Sequence, residues 1–259
     1  MNKKLWKASE KVKKNSNLFR YENFLARNYK YKISKKYSKL LDWSLKKPKD
    51  FWSSVWDFTK VKGYKNLKFK FSGNLFKHKF LINSKLNFAE NLLSKTDKSK
   101  AITFISENGY KEVRSWKKLN LNISKITKFY KKIGIKKNDR VAAYLPNIIE
   151  TVESFIATSS IGAIWSSCSP DFGTQGVIER FSQIKPKLLI IADRYYYNGK
   201  EINVIDRLPL ILENIKSIKK VIVINYPGKK YLKKKKYKNT KIFLWNKILK
   251  LKSHKINLE

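Results

Sequence analysis

Two short stretches combine residue types able to hold a ligand. Ser169-Pro170-Asp171-Phe172-Gly173 is a run of small, polar and turn-forming residues where a ligand can approach the backbone. Asn198-Gly199-Lys200 couples a strong turn signal to an ammonium that reaches a phosphate as a point charge, although on its own Lys200 is one of 52 lysines and reads as solvated surface. The other reactive residues fit known chemistries poorly. Cys168 sits between serines at a strand end, and its only candidate partners, His78 and His254, lie in Lys-rich surroundings, so it is expected to pack or line a pocket rather than attack a substrate. Two histidines leave no metal cluster. Glu150 and Glu153 lie three apart on one helix face with no second acid spaced for general acid and base work, and they read as surface residues. Arg180 reads as a structural partner of Glu179 or Asp193. The absence of a Gly-x-Ser-x-Gly elbow removes the hydrolase reading, and no residue is assigned a catalytic role.

The elements that must position these residues follow from the hydrophobic pattern. Val141 to Leu145 is a short apolar run stopped by Pro146-Asn147, as expected of a buried parallel strand. Ile148, Ile149, Val152, Phe155, Ile156 and Ser159 recur at helical spacing, and Ala163 to Ser167 resumes as a strand ending at the Ser169–Gly173 turn. Further strands are expected at 187–192 and 220–225, with helices at 174–184 and 203–216. Upstream, Asn108-Gly109 joins strands at Ala101 to Ile105 and Tyr110 to Arg114, and Ser115 caps a helix running to about Ile133. This alternation predicts an α/β fold with a largely parallel sheet covered on both faces. Ligands of open α/β sheets bind beyond the carboxyl ends of the strands, where the Ser169 turn falls.

The first 60 residues read as helical, with stripes at Leu18, Tyr21, Phe24 and Leu25, at Tyr37, Leu40 and Leu41, and, after Pro48, at Phe51, Trp52, Val55 and Trp56. Such aromatic stripes are expected in the core. Residues 61–85 read as irregular, with breaks at Gly63 and Gly73, and Asn87 to Leu93 as a short helix.

The net charge of +40 invites a nucleic-acid reading, but only seven of the 59 basic residues are Arg, the residue favoured for bidentate recognition of guanine and phosphate. The lysine excess reads instead as the mark of an AT-rich genome, and the block Lys229 to Lys238 as a solvated loop or interaction tail. A basic binding module for nucleic acid or another acidic partner is the rival reading. It requires aromatics interleaved with Lys on one exposed face, whereas the aromatics here are expected in the core. A single cysteine permits no internal disulfide and points to the cytoplasm. No stretch is long and apolar enough to span a bilayer, so no membrane partner is expected.

Six blocks carry a family resemblance: LLDWSLKKPKDFWSSVWDF at 40–58, LNFAENLL at 86–93, DRVAAYLPN at 139–147, IGAIWSSCSPDFG at 161–173, ERFSQIKPK at 179–187 and YYYNGK at 195–200. Together they resemble the acetoacetyl-CoA synthetases of the AMP-forming acyl-CoA synthetase superfamily, with WSSCSPDFG as the subfamily marker. One departure is Phe80-Leu81-Ile82-Asn83 where that family tends to have Trp-Phe-Pro-Gly. The resemblance implies a helical cap over residues 1–98 and, over 99–259, the first part of the AMP-binding domain, ending before the phosphate-binding Ser-Gly-Thr-Thr-Gly-x-Pro-Lys loop. It implies ATP (with Mg), acetoacetate and CoA as substrates of the complete enzyme, and a chain inactive on its own. It also implies that the adenine nucleotide end of CoA lies near Pro170 and Asp171, with Tyr197, Asn198 and Gly199 lining a loop whose Lys200 matches a basic position near the 3′-phosphate.

Overall fold

The computed structural model describes residues 5–34, 36–228 and 239–252; the basic block 229–238 and His254 lie outside them. The chain forms two compact units, Met1–Leu86 and Asn87–Glu259.

The first unit contains helices α1 (Glu10–Lys14), α2 (Asn17–Asn28), α3 (Tyr37–Lys46) and α4 (Pro48–Phe58). Ser16 caps α2 by accepting from the Phe19 amide at 3.1 Å, and Pro48 opens α4 where its missing N–H costs nothing. Tyr21, Leu25, Tyr31 and Leu40 form the core, with Phe51, Val55 and Phe58 packed against them. The expected stripe is therefore only partly buried: Leu25 is inside, but Tyr37, Leu41 and Trp52 are exposed. Residues 64–85 are mostly irregular, as expected, apart from a short antiparallel ribbon bridged at Tyr64–Lys85 and Lys70–Lys79. Its aromatics alternate with lysines and remain partly exposed, contrary to the expectation that all aromatics cluster in a core. Asn83 has a φ of 65°, the left-handed conformation that Asn tolerates best after Gly.

The second unit opens with α5 (Phe88–Leu92), the antiparallel hairpin β1 (Lys100–Ile105) and β2 (Lys111–Ser115), and the long α6 (Trp116–Lys132) capped by Ser115. A parallel sheet follows, ordered β4-β3-β5-β8-β9, from β3 (Arg140–Tyr144), β4 (Ile164–Cys168), β5 (Leu188–Ala192), β8 (Lys220–Ile224) and β9 (Lys241–Leu244). β5 is buried at every position, which explains its unbroken apolar run. Helix α7 (Ile149–Ser160) packs on α5 and α6, while α8 (Thr174–Ile184) packs on α9 (Leu208–Asn214). Right-handed crossovers put these two groups on opposite faces, because the chain steps outward from β3 to β4 and then back across β3 to β5. That reversal puts the topological switch point between β3 and β5.

Three expectations are corrected. The stretch 195–200 is a second hairpin, β6 (Arg194–Tyr197) and β7 (Lys200–Asn203), and the helix expected from 203 begins only after a 3-10 turn at Ile205–Arg207. β9 and the short α10 (Trp245–Ile248) carry too few residues for a periodic signal. Glu150 and Glu153 are buried rather than on the surface, because α7 is covered by α5 and α6 as well as by the sheet. Glu153 is held 3.0 Å from Arg114 Nε and accepts from Asn122 Nδ2 at 2.8 Å.

Candidate functional site

The site residues gather at the carboxyl ends of β3, β4 and β5, beside the switch point. The Tyr144 side chain, buried at the end of β3, donates from its hydroxyl to the Phe172 carbonyl at 2.6 Å. Arg207, in the 3-10 turn after β7, donates from Nη1 to the Pro170 carbonyl at 2.7 Å and to the Tyr144 hydroxyl. Its guanidinium carbon stands 5.8 Å from the Tyr144 ring centroid. Two carbonyls of the Ser169–Gly173 turn are thus drawn inward, and a fixed cation neutralises their partial charge. Within the turn, Ser169 Oγ donates to Asp171 Oδ2 at 2.6 Å, and the Phe172 amide donates to the Ser169 carbonyl at 3.1 Å. Pro170 is buried, whereas Asp171, Phe172 and Gly173 face solvent.

Burial pushes the Tyr144 phenol upward despite Arg207, so it stays a neutral donor at physiological pH. Burial likewise raises the Cys168 thiol against a smaller opposing effect of Arg180, which fits the packing role expected for it. Arg180 lies with its guanidinium carbon 4.3 Å from the centroid of the Phe172 ring and donates to the Gly176 carbonyl at 3.1 Å. That stacking replaces the salt bridge expected from its neighbours in sequence.

The second hairpin reaches the turn at its base. Burial, and then the Asp171 carboxylate facing the Tyr195 hydroxyl, raise that phenol's pKa. Asp193, just beyond β5, ties hairpin and sheet together: it accepts from the Tyr226 amide at 2.8 Å and pairs with Arg194 at 3.3 Å, while Arg194 also reaches Glu201 at 2.7 Å. At the tip, Tyr197 pairs with Lys200 across Asn198 and Gly199, whose φ values of 50° and 72° are those a two-residue hairpin turn of the primed kind requires. The Gly199 amide donates to Glu107 Oε2, 3.1 Å away in the β1–β2 loop.

Of the residues singled out in the sequence, Asp171 therefore meets the hairpin through Tyr195, and Pro170 is held by Arg207 and Tyr144. Tyr197, Asn198, Gly199 and Lys200 form its exposed tip, fastened to Glu107. Sequence reasoning passed over Arg207 and Tyr144. A signal was available for Arg207: where Lys is so dominant, an Arg marks a place needing a planar, multiply bonded cation. Arg114, Arg140, Arg194 and Arg207 each bind two or more groups in this way.

A parallel sheet with a polar turn at its switch point defines an open α/β protein of the kind that binds ligands beyond the carboxyl ends of its strands. Residues 90–252 match the family model "AMP-binding enzyme", and the chain belongs to that family. It is 39% identical over 193 residues to the acetoacetyl-coenzyme A synthetase of Rhizobium meliloti (strain 1021), a match covering 74% of this chain and 29% of that protein. With the acetoacetyl-CoA synthetase of Xenopus tropicalis it shares 36% identity over 219 residues, 83% of this chain and 32% of the relative. The chain thus spans about a third of the length of the curated relatives it matches. The structure of an acetoacetyl-CoA synthetase from Streptomyces lividans superposes with a TM-score of 0.90 over all of this chain and 39% of that one, at 23% identity, a likeness of fold.

Proposed function

We propose that the chain is the N-terminal part of an AMP-forming acetoacetate–CoA ligase, in which ATP, acetoacetate and CoA give AMP, diphosphate and acetoacetyl-CoA. In this reading residues 1–98 are the cap region, residues 99–259 begin the AMP-binding domain, and the setting is cytoplasmic. The observation that carries it is the identity of 36–39% to acetoacetyl-CoA synthetases over 74–83% of the chain.

This chain's share of the work is to dock CoA. Pro170 and Asp171 line the adenine nucleotide end, on a turn held by Arg207 and Tyr144. Tyr197, Asn198 and Gly199 shape the hairpin tip, and the exposed Lys200 meets the 3′-phosphate. Two features support the tip as an anion site. The Gly199 amide already donates to a carboxylate, so it is oriented for an anionic oxygen, and Lys200 directly follows it. Because Glu107 holds that amide, it must swing aside for a phosphate to bind. Among the described residues no group of three His, Cys, Asp or Glu is placed to hold a metal ion, and no magnesium ligand is assigned.

The test is calorimetric titration of the chain with CoA and with 3′-dephospho-CoA. The reading expects CoA to bind more tightly than the analogue. Equal binding of the two, or no binding of either, rejects the docking assignment.

A further inference from the structure

Between Asp57 and Glu90 the sequence holds eight lysines and no acidic residue. Two runs in this stretch, Lys68-Phe69-Lys70-Phe71 and Lys77-His78-Lys79-Phe80, lie antiparallel, and Lys70 and Lys79 exchange backbone hydrogen bonds of 2.9 and 2.8 Å. Alternate residues of an extended ribbon face opposite sides, so aromatics and lysines separate. Phe71 lies with its ring centroid 5.4 Å from His78 and 5.8 Å from Phe80, while Lys68, Lys70, Lys77 and Lys79 are exposed. The connection carries Leu75 and Phe76, which are 72% and 97% exposed. This tip is built rather than loose: Asn74 caps it by accepting from the Phe76 amide at 2.9 Å, and His78 Nε2 bonds the Ser72 carbonyl at 2.6 Å. An ordered turn therefore holds two large apolar side chains in water, collared by cations.

We propose that this ribbon docks on an anionic lipid bilayer, with Leu75 and Phe76 entering the boundary between headgroups and acyl chains and the lysines meeting the headgroups. Apolar insertion and cationic attraction are the two contributions that hold a peripheral protein at such a surface. Lysine suits it, since headgroups demand charge rather than bidentate geometry. Single-stranded nucleic acid fits less well. Successive bases need a row of free ring faces, but Phe69, Phe71 and Phe80 pack against one another, which leaves Phe76 exposed beside an aliphatic side chain that stacks on nothing. The absence of a spanning segment concerns crossing a bilayer, and docking at its surface does not require one. The proposal is independent of the ligase reading.

Flotation of the 259-residue chain with vesicles tests it, comparing phosphatidylcholine alone with phosphatidylcholine carrying phosphatidylserine, at about physiological salt. The double variant Leu75→Ser, Phe76→Ser keeps every charge and alters only exposed side chains, with circular dichroism as the check on folding. The expected result is retention by the anionic vesicles and at least about tenfold weaker binding of the double variant. Equal binding of wild type and variant means attraction by charge alone and overturns the proposal. So does the absence of retention on anionic vesicles, or tighter binding to an oligothymidylate than to them at the same salt.

Discussion

Arg207 Nη1 donates a 2.7 Å hydrogen bond to the Pro170 carbonyl, joining the turn after β7 to the turn after β4 across the end of β3. Replacing Arg207 by Ala removes that bond and the one to the Tyr144 hydroxyl, and leaves the carbonyl of the buried Pro170 with only a longer bond of 3.3 Å from Tyr144. The expected cost is about 1–3 kcal/mol of unfolding free energy, read from urea titration. Arg207→Lys should recover only part of it, because an ammonium lacks the planar fork.

Tyr144→Phe removes the donor to the Phe172 carbonyl but keeps the ring in the core. Alone it should cost about 1 kcal/mol. Because Arg207 donates to the Tyr144 hydroxyl, each single variant already removes that shared bond, and the double variant should lose less than the two single losses together, by at least about 0.5 kcal/mol. Strict additivity would show that the pair does not act as one clamp.

Lys200→Glu tests the hairpin tip. If Lys200 meets the 3′-phosphate of CoA, reversing its charge should raise the Kd for CoA roughly tenfold or more and abolish discrimination against 3′-dephospho-CoA. In an acetoacetyl-CoA synthetase completed with this segment, the KM for CoA should rise while acetoacetate-dependent pyrophosphate exchange, which needs no CoA, is unchanged. An unaltered CoA affinity leaves Lys200 as one more solvated lysine.

Burial pushes the Glu153 carboxyl up to about 8, with Arg114 and Asn122 opposing the shift and Glu150 and Glu112 adding to it. A carboxyl raised on folding binds a proton that the unfolded chain releases, so its contribution is fully present below the unfolded value of 4.5 and is lost as pH rises through about 8. Glu150 and Asp193, also raised by burial, act in the same direction. Asp57 and Asp139 are lowered, and their contributions change only at more acidic pH. The urea midpoint should therefore fall between pH 5 and pH 8, and Glu153→Gln should flatten that slope. A midpoint that rises over the interval would contradict a buried, protonated Glu153.

Gly199 has a φ of 72°, and a Cβ placed there meets nothing within 4 Å. Gly199→Ala should thus cost only the backbone penalty, about 1 kcal/mol, with no clash. A loss of CoA affinity much larger than this stability change would mark the turn itself as a contact.

Local pattern was enough to establish the order of elements through β8 except for the β6–β7 hairpin, which it reads as a loop. Val141 to Leu145 and Leu188 to Ala192 are apolar on both faces, Ser115 and Pro48 sit where helices begin, and Asn198-Gly199 demands a tight reversal; each is a preference of a few neighbouring residues, written in their types and spacing. The same local signals put Pro170 and Asp171 at a strand end and Lys200 beside a turn. Only the tertiary structure decided which distant residues complete the site and which charges are withdrawn from water. Arg207 reaches Pro170 because β5 returns across β3, and Glu153 is buried because α7 is covered by two helices as well as the sheet. Periodicity sees one element at a time, so it sorted Glu153 with the solvated face. The Leu75–Phe76 tip shows the converse: apolar residues that a sequence pattern would place inside stand in water, because they sit on the turn of the ribbon, beyond the point where its Phe80 packs on Trp52.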